Sequence, residues 1–237
     1  MAVVTERQHD EGGRRKRLPP MEGTPVDAGE VPGWTGRIMV WLRVIAQFAG
    51  IQLLMVAGTV LGLGILGLGP ATASGARLLR RIVDGDASDA LWKDFWGGYR
   101  ADFRRAAVVT VPFIVVIGLA WYELLVLLYY GEGTVAAIFT GAIAAIGAYA
   151  VACLAYAPHV LRRYSDAPLP TLRFVALAPL LSPLTALGCI VTTVALMVVF
   201  LNWVPLFILM GLSVPLLLSG LIVDRWLDKI DARSADA

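Results

Sequence analysis

A chain of 237 residues that is 58% hydrophobic and only 16% charged departs from soluble domains, where about a quarter of residues are charged. Its mean hydropathy of +0.72 points the same way. A net charge of +2 gives no electrostatic basis for binding nucleic acid.

The missing charge reflects long uncharged stretches at 44–74, 106–121 and 134–157. Two of them exceed the roughly 18–20 apolar residues that cross a bilayer core. The composition thus predicts an integral membrane protein with the lipid bilayer as its first partner. Cys153 and Cys189 both fall inside apolar runs and say nothing about a redox compartment.

Residues 1–33 are polar and poor in bulky aliphatics, and read as a disordered tail. The basic run Arg14–Arg17 is either a solvated cluster or a contact for anionic headgroups, and it lies too far from an apolar run to form a signal peptide. Trp34, Ile38 and Trp41 suggest an interfacial lead-in to a membrane domain over 34–230. Five spans are expected at about 44–68, 106–130, 134–157, 174–200 and 206–223, with a short tail over 231–237. The fold class is therefore all-α, a polytopic bundle of five transmembrane helices.

Gly62-Leu63-Gly64-Ile65-Leu66-Gly67 spells the G-x-G-x-x-G of a dinucleotide turn. It lacks the strand such a turn requires, so it reads as the thin end of the first span. Gly69-Pro70 is expected to stop that span. Two interfacial helices follow at about 71–83 and 88–105, with Ser88 as N-cap of the second. Leu91, Trp92, Phe95, Trp96, Tyr99 and Phe103 share one face of that amphipathic helix. Asp84, Asp86 and Asp89 lack the alternation and distant glutamate of a calcium loop, so no metal site is expected.

Of the lysines and arginines, 13 fall in segments that a five-span chain puts on one side, against Arg37 and Arg43 near the membrane on the other. The positive-inside rule then gives a cytoplasmic C-terminus and an external N-terminus.

Candidate intramembrane polar residues are Glu123, Gln47, Gln52 and Asn202. Glu123 reads either as a proton or substrate site or as a carboxylate snorkelling to the headgroups, and the others as lining or as interhelical hydrogen bonding. His159 reads as a lone loop histidine. No catalytic or cofactor motif is recognisable, so neither an enzyme nor a cofactor is expected. Gly58 and Gly62 in the first span, and Ala137, Gly141 and Ala144 in the third, are candidate close-packing positions.

Gly69-Pro70-Ala71-Thr72-Ala73, followed by Phe95-Trp96-x-x-Tyr99-Arg100-x-x-Phe103-Arg104-Arg105, resembles the YesL (DUF624) family of small bacterial membrane proteins. The five-span layout is similar too. Gly67, where family members often carry threonine, and the long polar tail depart from the pattern. The resemblance covers most of residues 36–230 and implies an inner-membrane accessory protein of carbohydrate ABC uptake systems, with permease or ATPase subunits as partners. It supplies no catalytic residues. Gly69, Pro70, Ala71, Thr72, Phe95, Trp96, Tyr99, Arg100 and Phe103 are the motif positions, expected on a partner-facing cytoplasmic segment; a small stand-alone transporter using Glu123 is the alternative.

Overall fold

The computed structural model describes residues 34–235, and the N-terminal stretch with Arg14–Arg17 lies outside them. The chain divides into two units, residues 1–41 and 42–237. In the first, Trp34–Trp41 is helical and exposes Trp34, Ile38, Met39 and Trp41.

Among the described residues every element is helical: α1 (Trp34–Leu61), α2 (Ile65–Val83), α3 (Leu91–Tyr130), α4 (Gly133–Arg163), α5 (Pro168–Leu181), α6 (Pro183–Asn202), α7 (Val204–Met210) and α8 (Ser213–Ala235). Four of them carry stretches long and apolar enough to cross a membrane: Trp41–Leu61, α3, α4 and α6. The all-helical, multi-pass character expected from composition is thus present. α8 continues as helix through residues 231–235, where the sequence suggested a tail.

The first span does not end at Gly69-Pro70. It ends at Leu61, and the chain reverses through Leu63 (φ 58°) and Gly64 (φ 75°) into α2, which carries Pro70 in its interior. Gly62 and Gly67 face each other across this reversal: a Cβ on Gly67 would lie 2.6 Å from the Gly58 carbonyl oxygen and 2.8 Å from Gly62 Cα. Gly75 lies against Met55 further down, so α2 runs back antiparallel along α1. The residues that spelled a nucleotide turn are the tip of a helical hairpin. Pro70 is tolerated because it is the sixth residue of α2, where its missing N–H removes one hydrogen bond near the helix start.

The segment expected at 88–105 and the second span form one 40-residue helix, α3. Ser88 is not its N-cap. The N-cap is Ala90, whose N–H donates to Ser88 Oγ (3.2 Å), while Ser88 Oγ donates to Asp94 Oδ2 (2.6 Å) in the first turn. α3 packs on α2 and α4, both antiparallel to it; Gly98 meets Arg77 and Ser74, and Ala120 meets Gly147.

The stretch expected as a fourth span is broken at Ser182 (φ −142°, ψ 71°) into α5 and α6. Pro183 at the start of α6 explains the break, since proline suits a first helical turn and pushes the residue before it out of helical geometry. The stretch expected as a fifth span is broken at Gly211-Leu212, between α7 and α8. Three buried clusters form the core. One centres on Ile51, Met55, Leu79, Phe95 and Tyr99, one on Ala73, Ala106, Cys153, Val160 and Val175, and one on Tyr156, Cys189, Val223 and Leu227.

Candidate functional site

The fold splits the family-like motif into a buried part and an exposed part. Gly69–Ala73 is a hub of small residues where four helices meet. Ala71 lies against Gly58 of α1, Gly69 against Ala106 and Thr110 of α3, and Ala73 packs with Cys153 and Ala157 of α4. Thr72 Oγ1 donates to the Leu68 carbonyl at 2.8 Å, within its own helix.

Phe95 and Tyr99 are also inside. Their rings stack at 6.1 Å, and Tyr99 O–H donates to the Gly58 carbonyl at 2.8 Å. Gly69, Pro70, Ala71, Phe95 and Tyr99 are therefore packing residues, not surface offered to a partner. Amphipathic spacing could not separate these roles, because the α1–α2 hairpin covers the aromatic face. Trp96 and Phe103 are half-buried, whereas Trp92 (68% exposed), Lys93, Arg100 and Arg104 remain outside.

The ends of the helices near residues 43, 84–91, 163 and 224–231 are tied together by ion pairs. Arg43 pairs with Asp89 at 2.8 Å, Arg77 with Asp102, and Arg81 with Asp86 and Asp94. Arg163 pairs with Asp228 and Asp231. Arg105 donates to the carbonyls of Leu161 and Tyr164, closing the C-terminal end of α4. Asp84 and Asp86 serve Arg80 and Arg81, and no cluster of three potential metal ligands occurs among the described residues. Tyr164 O–H donates to Asp231 at 2.7 Å. That bond and the Arg163 guanidinium hold the Asp231 carboxyl below its usual range. Burial, then the contact with Asp231, pushes the Tyr164 phenol up to about 12.

In this region the sequence does not single out Asp224 and suggests a loop position for His159. Asp224, only 7% exposed, accepts from Arg80 of α2 (3.2 Å) and from Arg162 of α4. His159 is not a loop residue. α4 continues through Pro158 to Arg163, so His159 is 2% exposed, with Nε2 3.2 Å from Ser219 Oγ. Gly220 makes room for the imidazole, since a Cβ there would lie 2.8 Å from the ring. The signal was faint: one aspartate just past an apolar run, and one glycine four residues before it.

The intramembrane polar candidates are not gathered into a pathway. Gln52 is buried, and its Oε1 accepts from the backbone N–H groups of Leu212 and Ser213 and from Ser213 Oγ, each at 3.0 Å. It caps the start of α8, where helix N–H groups otherwise lack partners. Gln47 is buried on α1, Glu123 is exposed on α3, and Asn202 is exposed and donates to the Val198 carbonyl within its own helix. Of the packing positions, Gly58 and Gly62 are buried, but Ala137, Gly141 and Ala144 on α4 are exposed.

Residues 48–124 match the family described as "Protein of unknown function, DUF624". This segment is similar to the DUF624 family. It comprises most of the hairpin, the hub, the aromatic face and most of the long helix. A similar protein is the "Uncharacterized protein YteU" of Bacillus subtilis (strain 168), 33% identical over 100 residues, which are 42% of this chain and 45% of that protein. The match spans less than half the length of that relative. No solved structure gives a significant match.

Proposed function

We propose that the protein is a non-enzymatic accessory or assembly protein of a bacterial cytoplasmic membrane, working beside a carbohydrate ABC uptake system through its permease or ATPase subunits. The observation that carries the accessory role is the small-residue stripe of α4. Ala152, in its inner part, is buried, whereas Ala137, Gly141 and Ala144 are exposed, and a Cβ on Gly141 would meet nothing within 4 Å. Small residues along a membrane helix let a second helix approach closely. The choice of an ABC system as partner comes from the family resemblance.

For orientation, the charged end of the bundle is cytoplasmic, because basic residues collect there. Charge counting along the sequence set Arg43 on the opposite side. Its ion pair with Asp89 and the antiparallel α1–α2 hairpin instead support entry from the cytoplasmic side. On this reading the five-span count becomes an even number of passages: α1 and α2 enter and return, and α3, α4, α5–α6 and α7–α8 each cross.

The test is a mild-detergent pull-down of tagged protein with Gly141→Ile alongside. Carbohydrate-type permease or ATPase subunits should co-purify with the wild type and be lost with the variant. A partnerless protein whose reconstituted vesicles show Glu123-dependent flux would overturn the reading in favour of a transporter.

A further inference from the structure

On the outer side of α3, the residues of the family-like motif that stay exposed line a groove of about 560 Å³ formed by Leu61, Trp92, Lys93, Trp96, Gly97 and Arg100. Its two ends differ in chemistry. Leu61 belongs to an apolar tip whose Leu63, Ile65 and Leu66 are also exposed, while Lys93 and Arg100 supply an ammonium and a guanidinium. Neither Lys93 nor Arg100 forms an ion pair or hydrogen bond with the described residues, whereas Arg77 and Arg81 on neighbouring α2 are both paired. The Trp96 Nε1–H is buried and has no acceptor, although a buried indole N–H usually finds one. Between the cations, Gly97 is exposed and a Cβ there would meet nothing within 4 Å, so the backbone lies open to an approaching group.

We propose that this groove is a binding site for one anionic glycerophospholipid of the host membrane. The phosphodiester sits over the open backbone at Gly97, between Lys93 and Arg100. The acyl chains run past Leu61 toward the exposed hairpin tip. Three features select this occupant together. Two exposed cations, Arg100 and the Lys93 that neighbours Asp94, favour an anion, the apolar wall favours a tail, and α3 continues without a break into an apolar segment long enough to span the membrane that supplies such lipids. The proposal does not depend on the partner assigned above.

Detergent-solubilised full-length protein would be titrated with phosphatidylglycerol and, separately, phosphatidylcholine, counting bound lipids by native mass spectrometry. Wild type should bind one phosphatidylglycerol saturably in preference to phosphatidylcholine. At about 1 kcal/mol per basic residue near an anionic lipid, or about fivefold, Lys93→Gln/Arg100→Gln should weaken binding roughly thirtyfold. Gly97→Leu keeps every charge and covers the open backbone between the cations, so it should also weaken binding without lowering the melting temperature. Arg225→Gln/Lys229→Gln removes two exposed charges from α8 and should change binding less than twofold. Equal binding of phosphatidylcholine, or an equal loss in the α8 variant, would overturn the site in favour of diffuse attraction. Displacement by millimolar inorganic phosphate would overturn the lipid as occupant in favour of a soluble anion.

Discussion

Gln52→Met tests whether the polar residues of α1 hold the bundle together or line a passage. Methionine keeps the length of the side chain and removes the acceptor. Three hydrogen bonds of 3.0 Å are lost, and two backbone N–H groups at the break between α7 and α8 are left without partners. At about 0.5–1.5 kcal/mol net for each bond, the cost is about 3 kcal/mol. For a chain of this size that corresponds to a fall in melting temperature of roughly 6–12 °C. Tryptophan-fluorescence melting of purified protein in detergent measures it, with Gln52→Glu, which restores an acceptor, expected to fall between the two. A melting temperature within about 1 °C of wild type for Gln52→Met would refute the capping role, and a changed flux at unchanged stability would return Gln52 to a transport pathway.

Other substitutions and conditions probe the remaining parts. Asp224→Asn leaves Arg80 and Arg162 facing each other without their shared carboxylate; a loss of about 3 kcal/mol should appear in the same melting assay. Gly67→Ala drives a Cβ into the Gly58 carbonyl and Gly62 and should prevent hairpin closure, seen as loss of folded protein on size exclusion, while Gly97→Ala should stabilise by about 0.5–1 kcal/mol. The Asp231 carboxyl has its pKa lowered by folding, so its stabilising contribution is present above the ordinary carboxylate range and lost as pH falls through the lowered folded value. The Tyr164 phenol is raised from 10.0 to about 12, so its contribution is complete below pH 10 and disappears as pH climbs toward 12. Melting curves across pH should therefore lose their acid dependence in part with Asp231→Asn and their alkaline dependence in part with Tyr164→Phe.

Hydropathy made the cores of α1, α3, α4 and α6 legible, because the uncharged runs that define them are what a bilayer requires. It could not show the reversal at Leu63-Gly64. Both arms of the hairpin are apolar there, and only the close approach of Gly58, Gly62 and Gly67 reveals the turn. Pro183 signalled the break between α5 and α6, but the length of the apolar stretch from 174 to 200 concealed it. Among the candidate site residues, periodicity grouped Phe95 and Tyr99 with Trp92 and Trp96. Only the position of α1 decides which are covered. The partnerships of Asp224 with Arg80 and Arg162 join residues 144 and 62 positions apart, a separation that no local pattern encodes.

The hairpin of α1 and α2, which returns the chain to one charged end, underlies both the orientation of the bundle and its number of passages. The most direct measurement is labelling of single cysteines by a membrane-impermeant maleimide, in right-side-out and inverted vesicles, in a background where Cys153 and Cys189 are replaced by alanine. Arg43→Cys, Asp86→Cys and Ser165→Cys should all label from the cytoplasmic side, and Glu132→Cys, between α3 and α4, from the opposite side. Labelling of Arg43→Cys from the side opposite Asp86→Cys would contradict the hairpin and restore an odd number of passages.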